Sequence, residues 1–285
     1  MVGNAGLGKE TIVQLAKHDP KEIFLAARSQ SKAEAAIADI KKEVPNSRIS
    51  FLQLDLTSFK AVEKAASDFN ARSSHLHVLI NNAGIMAVPF SKTEDGYEIQ
   101  FGTNHMGHAL LTKLLLPTML KTAEEPGSDV RVVNLSSSGH HMAPRGGIIY
   151  NQDELANWGP WRRYGHTKLA NILHARELQR QYPSITATSV HPGVIITELY
   201  TSVNKTSPLL RWGTAAFKGF TTPVDAGSYN TLFAATSPNR EEIRSSYYWT
   251  PVGKKDGGSF WHARDAKLAQ NLWDWTEKEF QKHGY

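Results

Sequence analysis

The sequence predicts an α/β protein built on a doubly wound parallel sheet, and three observations carry that expectation. Short apolar runs of strand length alternate with longer stretches of helical periodicity along the chain. The runs are apolar throughout rather than at every second residue, the pattern of strands covered on both faces. Glycine, asparagine, serine or proline follows most of them, which places turns and polar groups at the carboxyl ends of the strands.

In order, the glycine-rich opening leads into a helix over Lys9–Lys17, with apolar residues at Ile12, Val13, Leu15 and Ala16 and a stop at Asp19-Pro20. Ile23–Ala27 reads as a strand, Ala33–Glu43 as a helix, Ile49–Leu54 as a strand and Ala61–Phe69 as a helix. Val78–Ile80 is a short buried strand and Tyr97–Leu120 one long helix. A strand over Val130–Leu135, a helix from Tyr164 to Tyr182 and a strand over Thr186–Val190 follow. No repeat, low-complexity tract or long linker divides the 285 residues, so one domain is expected.

Composition excludes several classes. The chain has no cysteine, which removes disulfides, thiol nucleophiles and thiolate metal sites. No apolar run reaches the roughly 18 residues of a bilayer span, and no signal-peptide pattern opens the chain, so a cytoplasmic location is the expectation. The formal charge is +5, but lysine and arginine are scattered rather than gathered into a stripe. That distribution favours an anionic small molecule over nucleic acid. His105, His108, His140, His141 and His166 lack the His-Glu-x-x-His spacing or a nearby carboxylate set, and no metal site is expected.

Chemistry concentrates where the strands end. Tyr164 and Lys168 lie four residues apart on one helix, so phenol and ammonium share a face. A tyrosine titrates at about 10, and a neighbouring ammonium favours the phenolate, making the pair a proton-transfer device. Gly3-Asn4-Ala5-Gly6-Leu7-Gly8 forms a glycine-rich turn before a helix, a seat for a pyrophosphate. Asn82-Ala83-Gly84 follows the third strand, Ser136-Ser137-Ser138 the fourth and His191-Pro192-Gly193 the fifth. In an open α/β sheet, ligands bind beyond the strand ends where all of these groups fall.

On these residues the chain resembles the short-chain dehydrogenase/reductase family, classical type, in its retinol-dehydrogenase-like and fungal reductase branch. The resemblance implies a Rossmann-like fold, with Tyr164 as catalytic acid/base, Lys168 lowering its pKa and holding the nicotinamide ribose, and Ser137 binding the substrate oxygen. Asn104 is implied to hold a water in the proton relay. The glycine turn, with Gly3, Asn4, Gly6, Leu7 and Gly8, and Asn82, Ala83 and Gly84 would line the cofactor. Asp55 matches the position that reads the adenine amine, and Pro192, Gly193, Val194, Ile195 and Thr197 the segment along the nicotinamide. Arg28 after the strand Ile23–Ala27, with Lys32 nearby, would pair with a 2′-phosphate, so NADP(H) is expected.

Residues 198–222, with Leu199, Tyr200, Leu209, Leu210, Trp212 and Phe217, are expected to form an apolar lid over a lipophilic carbonyl or alcohol substrate. The loop before Tyr164, with Trp158 and Trp161, either adds to the pocket mouth or is plain surface. Trp273 and Trp275 are expected to pack the last helix. Homodimerisation is a further expectation. At the front, Met1 stands where the family has threonine and Val2 where it has the first glycine, and the family's first strand is missing. The expectation is a start placed downstream of that strand, or a short form that is inactive or held by a partner. The function expected is NADP-dependent interconversion of an alcohol and its carbonyl, with a non-catalytic dinucleotide-binding protein as the alternative.

Overall fold

A computed structural model describes residues 5–193, 224–255 and 261–285. Gly3, Asn4, Val194, Ile195, Thr197 and the expected lid at 198–222 lie outside the described residues. The strands run in the order expected of βαβ units. β1 (Ile23–Ala27) pairs in parallel with β2 (Ile49–Gln53), Ile23 opposite Ile49. β3 (Val78–Asn81), β4 (Arg131–Leu135), β5 (Thr186–Val190) and β6 (Tyr248–Thr250) form a second parallel array, which β7 (Lys254–Lys255) closes antiparallel.

The described strands form two sheets, of two and five strands, in keeping with the expectation that the first strand is missing. Among the described residues no strand pairs with both β1 and β3. Side chains bridge the division instead. Helix α1 (Gly6–Ala16) places Leu15 against the apolar cluster of β1 and also against that of β3 to β6. On the opposite face Ala26 and Leu52 share one core with Leu79, Val132 and Ala187. Neighbours along a strand therefore point into different cores, Leu79 into one and Ile80 into the other, which is why the strands read as unbroken apolar runs.

Local sequence accounts for the helices. Ser29 caps α2 (Gln30–Glu43) by accepting from the Lys32 amide, and Ser58 caps α3 (Phe59–Arg72) through the Ala61 amide. The expected long helix is broken into α4 (Ile99–Phe101), a π-helical segment at Gly102–Met106 and α5 (Gly107–Ala123). A β-carbon on Gly107 would stand 2.5 Å from the Leu56 carbonyl, so glycine lets this helix lie against the end of the second βα connection. α6 (Pro160–Gln181) starts a turn before Tyr164 because Pro160 occupies its first position, where the missing N–H costs no hydrogen bond. α7 (Val224–Thr236) and α8 (Arg240–Arg244) cover one face of the five-stranded sheet. α9 (Ala266–Lys282) packs on α6, with Trp273 stacked on His174 and Trp275 edge-on to Tyr97.

Several histidines lie in this interior, four of them with a lowered pKa. His105, His108, His166 and His174 are buried, and burial pushes His108 and His174 down to about 4, His166 to about 3 and His105 well below its ordinary value. Each stays neutral in the fold, whereas in the unfolded chain each binds a proton below about 6.5. The unfolded state therefore takes up more protons as the pH falls, and folding stability drops from about pH 6.5 towards 4. Thermal unfolding followed across that range should show the midpoint falling steadily; a midpoint level from pH 7 to 4.5 would contradict it.

Candidate active site

A cleft of about 520 Å³ opens at the carboxyl ends of the strands and gathers most of the residues singled out in the sequence. At one end stand Gly6, Leu7 and Gly8 at the start of α1, with Gly6 at φ 52° in the left-handed region that glycine adopts freely. Arg28 and Lys32, both exposed, border the cleft beside them. Asp55 follows β2, its Oδ1 accepting from the Thr57 amide and hydroxyl at 3.0 and 2.7 Å. Asn82, Ala83 and Gly84 line the middle, and Tyr164, Lys168 and Pro192 the far end. Gly193 follows at φ 100° without bordering the cleft.

Lys168 is buried, and its ammonium donates to the Leu135 carbonyl at the end of β4 at 3.0 Å. Burial lowers its pKa to about 8, since charge is disfavoured away from water. The nitrogen sits 5.6 Å from the Tyr164 ring centre, so the helical pair faces one point as the spacing predicts. Tyr164 is itself buried beside Met86 and Ala87, with Trp161 edge-on at 6.4 Å. Met142 is partly exposed, and its Cε lies 3.4 Å from where a β-carbon on Gly139 would stand, against the Tyr164 ring. The wall beside the phenol is therefore apolar, and Trp161 belongs to it.

Two expected residues have a more particular setting. Asn104 lies in the π-helical segment, fully buried. Its amide clamps Ile85 from both sides: Nδ2 donates to the Ile85 carbonyl at 2.9 Å, and Oδ1 accepts from the Ile85 amide at 2.8 Å. The second Nδ2 proton goes to Thr167 Oγ1 at 3.1 Å. With both amide protons committed, only the main-chain carbonyl of Asn104 is suited to hold a water, and it already accepts from His108 Nδ1 at 3.0 Å. Of the serines, Ser136 borders the cleft, but its hydroxyl donates to the Lys168 carbonyl at 2.8 Å. Ser137 is half-buried, does not border the cleft, and accepts from the Gly139 amide at 3.1 Å, turning the chain into a short 3-10 segment.

Sequence reading passed over Ser29, Leu54, Leu56, Thr57, Ile85, Ile99 and Thr103, all of which line the cleft, and of the serines it chose Ser137 where Ser136 is the one in the lining. Most adjoin a residue already identified, so the strand-end position itself was the available signal. Ile99 and Thr103, four residues apart, border the cleft together. Among the described residues, no group of three or more histidines and carboxylates is placed to hold a metal.

A family model described as short chain dehydrogenase matches residues 1–152. Short-chain dehydrogenase/reductase drtF of Aspergillus calidoustus is 39% identical, covering 98% of this chain and 92% of the relative. Retinol dehydrogenase 11 of Mus musculus is 36% identical over 95% of this chain and 82% of its own. A crystal structure of an uncharacterized protein from Mycobacterium Paratuberculosis superposes with a TM-score of 0.72 at 32% identity, over 98% of this chain and 90% of that one. The chain belongs to the short-chain dehydrogenase/reductase family, with the Rossmann-type fold and alcohol/carbonyl oxidoreductase class that this entails.

The contact that sets Tyr164 against the Ser137 turn is testable. A β-carbon on Gly165 would lie 2.5 Å from the Gly139 carbonyl and 3.0 Å from the Ala143 amide, both backbone atoms. Gly165→Ala should lower stability by about 1–3 kcal/mol and depress turnover in excess of that loss. Denaturant unfolding together with activity of the folded fraction checks this, and a neutral effect on both would contradict it.

Proposed function

We propose that this protein is a cytoplasmic NADP(H)-dependent reductase of lipophilic ketones or aldehydes, built as one cofactor-binding domain. One observation carries the reading: a single cleft is lined at one end by a glycine turn with two basic side chains and at the other by the Tyr164 and Lys168 pair. Backbone amides at the start of α1 suit a pyrophosphate. Arg28 and Lys32, beyond the end of β1, suit a ribose 2′-phosphate, which a carboxylate there would repel. Asp55 suits an adenine amine, and Asn82, Ala83 and Gly84 offer a narrow floor. When bound, the nicotinamide supplies or accepts the hydride.

The chain's own residues manage the oxygen and the proton. The Tyr164 phenol donates to the carbonyl oxygen as it gains negative charge, and the Ser137 hydroxyl, whose oxygen accepts from the Gly139 amide while its proton stays available, donates to the same oxygen. Lys168, charged below about pH 8, stabilises the phenolate left behind. Replacement protons reach this pair through Lys168 and a water on the Asn104 carbonyl. Met86, Ala87, Trp161 and Met142 surround the phenol with apolar surface, which supports a lipophilic substrate and excludes water from the reacting oxygen.

Tyr164→Phe removes the proton donor and nothing else, so carbonyl reduction should fall at least about a hundredfold while NADPH affinity stays within a fewfold. A stopped-flow assay over an aliphatic and aromatic carbonyl panel measures both. Turnover near the unsubstituted level would refute the role of Tyr164, and cofactor binding without turnover in the unsubstituted chain would favour a non-catalytic protein.

Arg28→Asp should weaken NADPH by about tenfold or more and leave NADH nearly unchanged, because one charge pair with the 2′-phosphate is replaced by repulsion. Fluorescence titration with both cofactors decides it; equal losses for the two would refute NADP selectivity at this position.

A further inference from the structure

A second cavity, of about 310 Å³, opens between α5, α6 and α9 and shares no lining residue with the first. Its walls are aliphatic and aromatic: Leu116 and Leu120 from α5, Leu178 from α6 with Tyr182 just beyond its end, Trp273 and Phe280 from α9. Lys113 and Glu277 also border it, and they are paired to each other. The lining therefore offers no unpaired charge, and an ion entering it would lose hydration without a counter-charge.

The polar groups of the lining are differently disposed. Thr112 donates to the His108 carbonyl at 2.8 Å and accepts from Asn81 at 3.1 Å. Thr276 Oγ1 meets His105 Nε2 at 3.3 Å. His174 is only 6% exposed. Its Nδ1 lies 3.2 Å from Asn134 Nδ2, and that amide is oriented by Asn81, which donates to Asn134 Oδ1 at 2.9 Å. Nδ1 is therefore an acceptor. Burial keeps the ring neutral, so its one proton sits on Nε2. No described residue accepts from that N–H, and Trp273 stacks on the ring at 5.4 Å and 22°, holding it in plane at the cavity wall. An apolar cavity of this size with a buried donor fixed in its wall has the make-up of a small-molecule site.

We propose that this cavity is a second ligand site, which takes a small, uncharged, largely apolar molecule presenting one hydrogen-bond acceptor to His174. Leu116, Leu120 and the aromatic side chains supply the affinity, and His174 selects an oxygen-bearing ligand over a hydrocarbon of the same shape. The proposal does not depend on the reaction assigned above.

Anisole, which carries an ether oxygen and neither charge nor a reducible group, tests it against ethylbenzene, which matches its shape without the oxygen. Each is titrated into the full chain with saturating NADPH, and the indole N–H resonance of Trp273, assigned with Trp273→Phe, reports binding. Anisole should shift that resonance saturably, and ethylbenzene should bind about fivefold more weakly, the effect of one neutral hydrogen bond. His174→Phe should erase the difference, and Leu116→Trp, which fills the cavity, should abolish binding of both. Should Leu116→Trp lose cooperative unfolding, Leu120→Trp at the half-exposed rim takes its place. No saturable shift with anisole, equal affinities in the unsubstituted chain, or undiminished binding in the filled variant would each overturn the proposal.

Discussion

The hydrogen bond from the Lys168 ammonium to the Leu135 carbonyl is the contact on which the site depends, because it fixes a helix to the end of a strand by way of the reactive side chain itself. Asn171, one turn further along α6, donates to the same carbonyl at 2.9 Å. Ser136 returns the arrangement by donating to the Lys168 carbonyl. Three bonds thus lock α6 against the carboxyl end of β4, and the orientation of Tyr164 follows from them. The same burial that makes these bonds strong disfavours the ammonium, which is why its pKa descends towards the physiological range.

The segment after β3 is held to this frame by side chains rather than by regular structure. Asn104 grips Ile85 at both backbone groups, Gln100 accepts from the Ala87 amide at 2.8 Å, and Arg163 donates to the Val88 carbonyl at 2.9 Å. Arg163 also pairs with the fully buried Glu98 at 3.1 Å, whose carboxylate accepts from the Gln100 and Phe101 amides. Burial pushes Glu98 up, and those amides together with the Arg163 guanidinium oppose the shift. Since Arg163 adjoins Tyr164, these contacts tie the loop that walls the phenol to the helix that carries it.

Behind the site the interior is more polar than an apolar core of this kind requires. Asn81, Asn134 and His174 form a continuous buried chain of hydrogen bonds from β3 through β4 to α6. Such a network costs desolvation unless each member is satisfied, and its geometry then admits few alternatives. The cavity bordered by His174 lies where that network reaches the three-helix face, whereas Lys168 lies where its neighbour Leu135 reaches the cleft.

The sequence by itself determined the order and type of most elements. β1 and β5 were legible to the residue, because apolar runs bounded by turn residues have few other uses, and the four-residue spacing of Tyr164 and Lys168 needed only helical geometry to become a shared face. The strand-end positions of Arg28, Asp55, Asn82 and Pro192 followed from βαβ topology. Only the tertiary structure decided the rest. The π-helical segment Gly102–Met106 is flanked by glycines that lie close to Thr93 and Leu56, contacts that no periodicity records. The commitment of the Asn104 amide to Ile85 and of the Ser136 hydroxyl to the Lys168 carbonyl depends on partners distant in sequence. Local pattern reports which face of an element is buried; which polar atom meets which is set by the contacts that form when the elements close together.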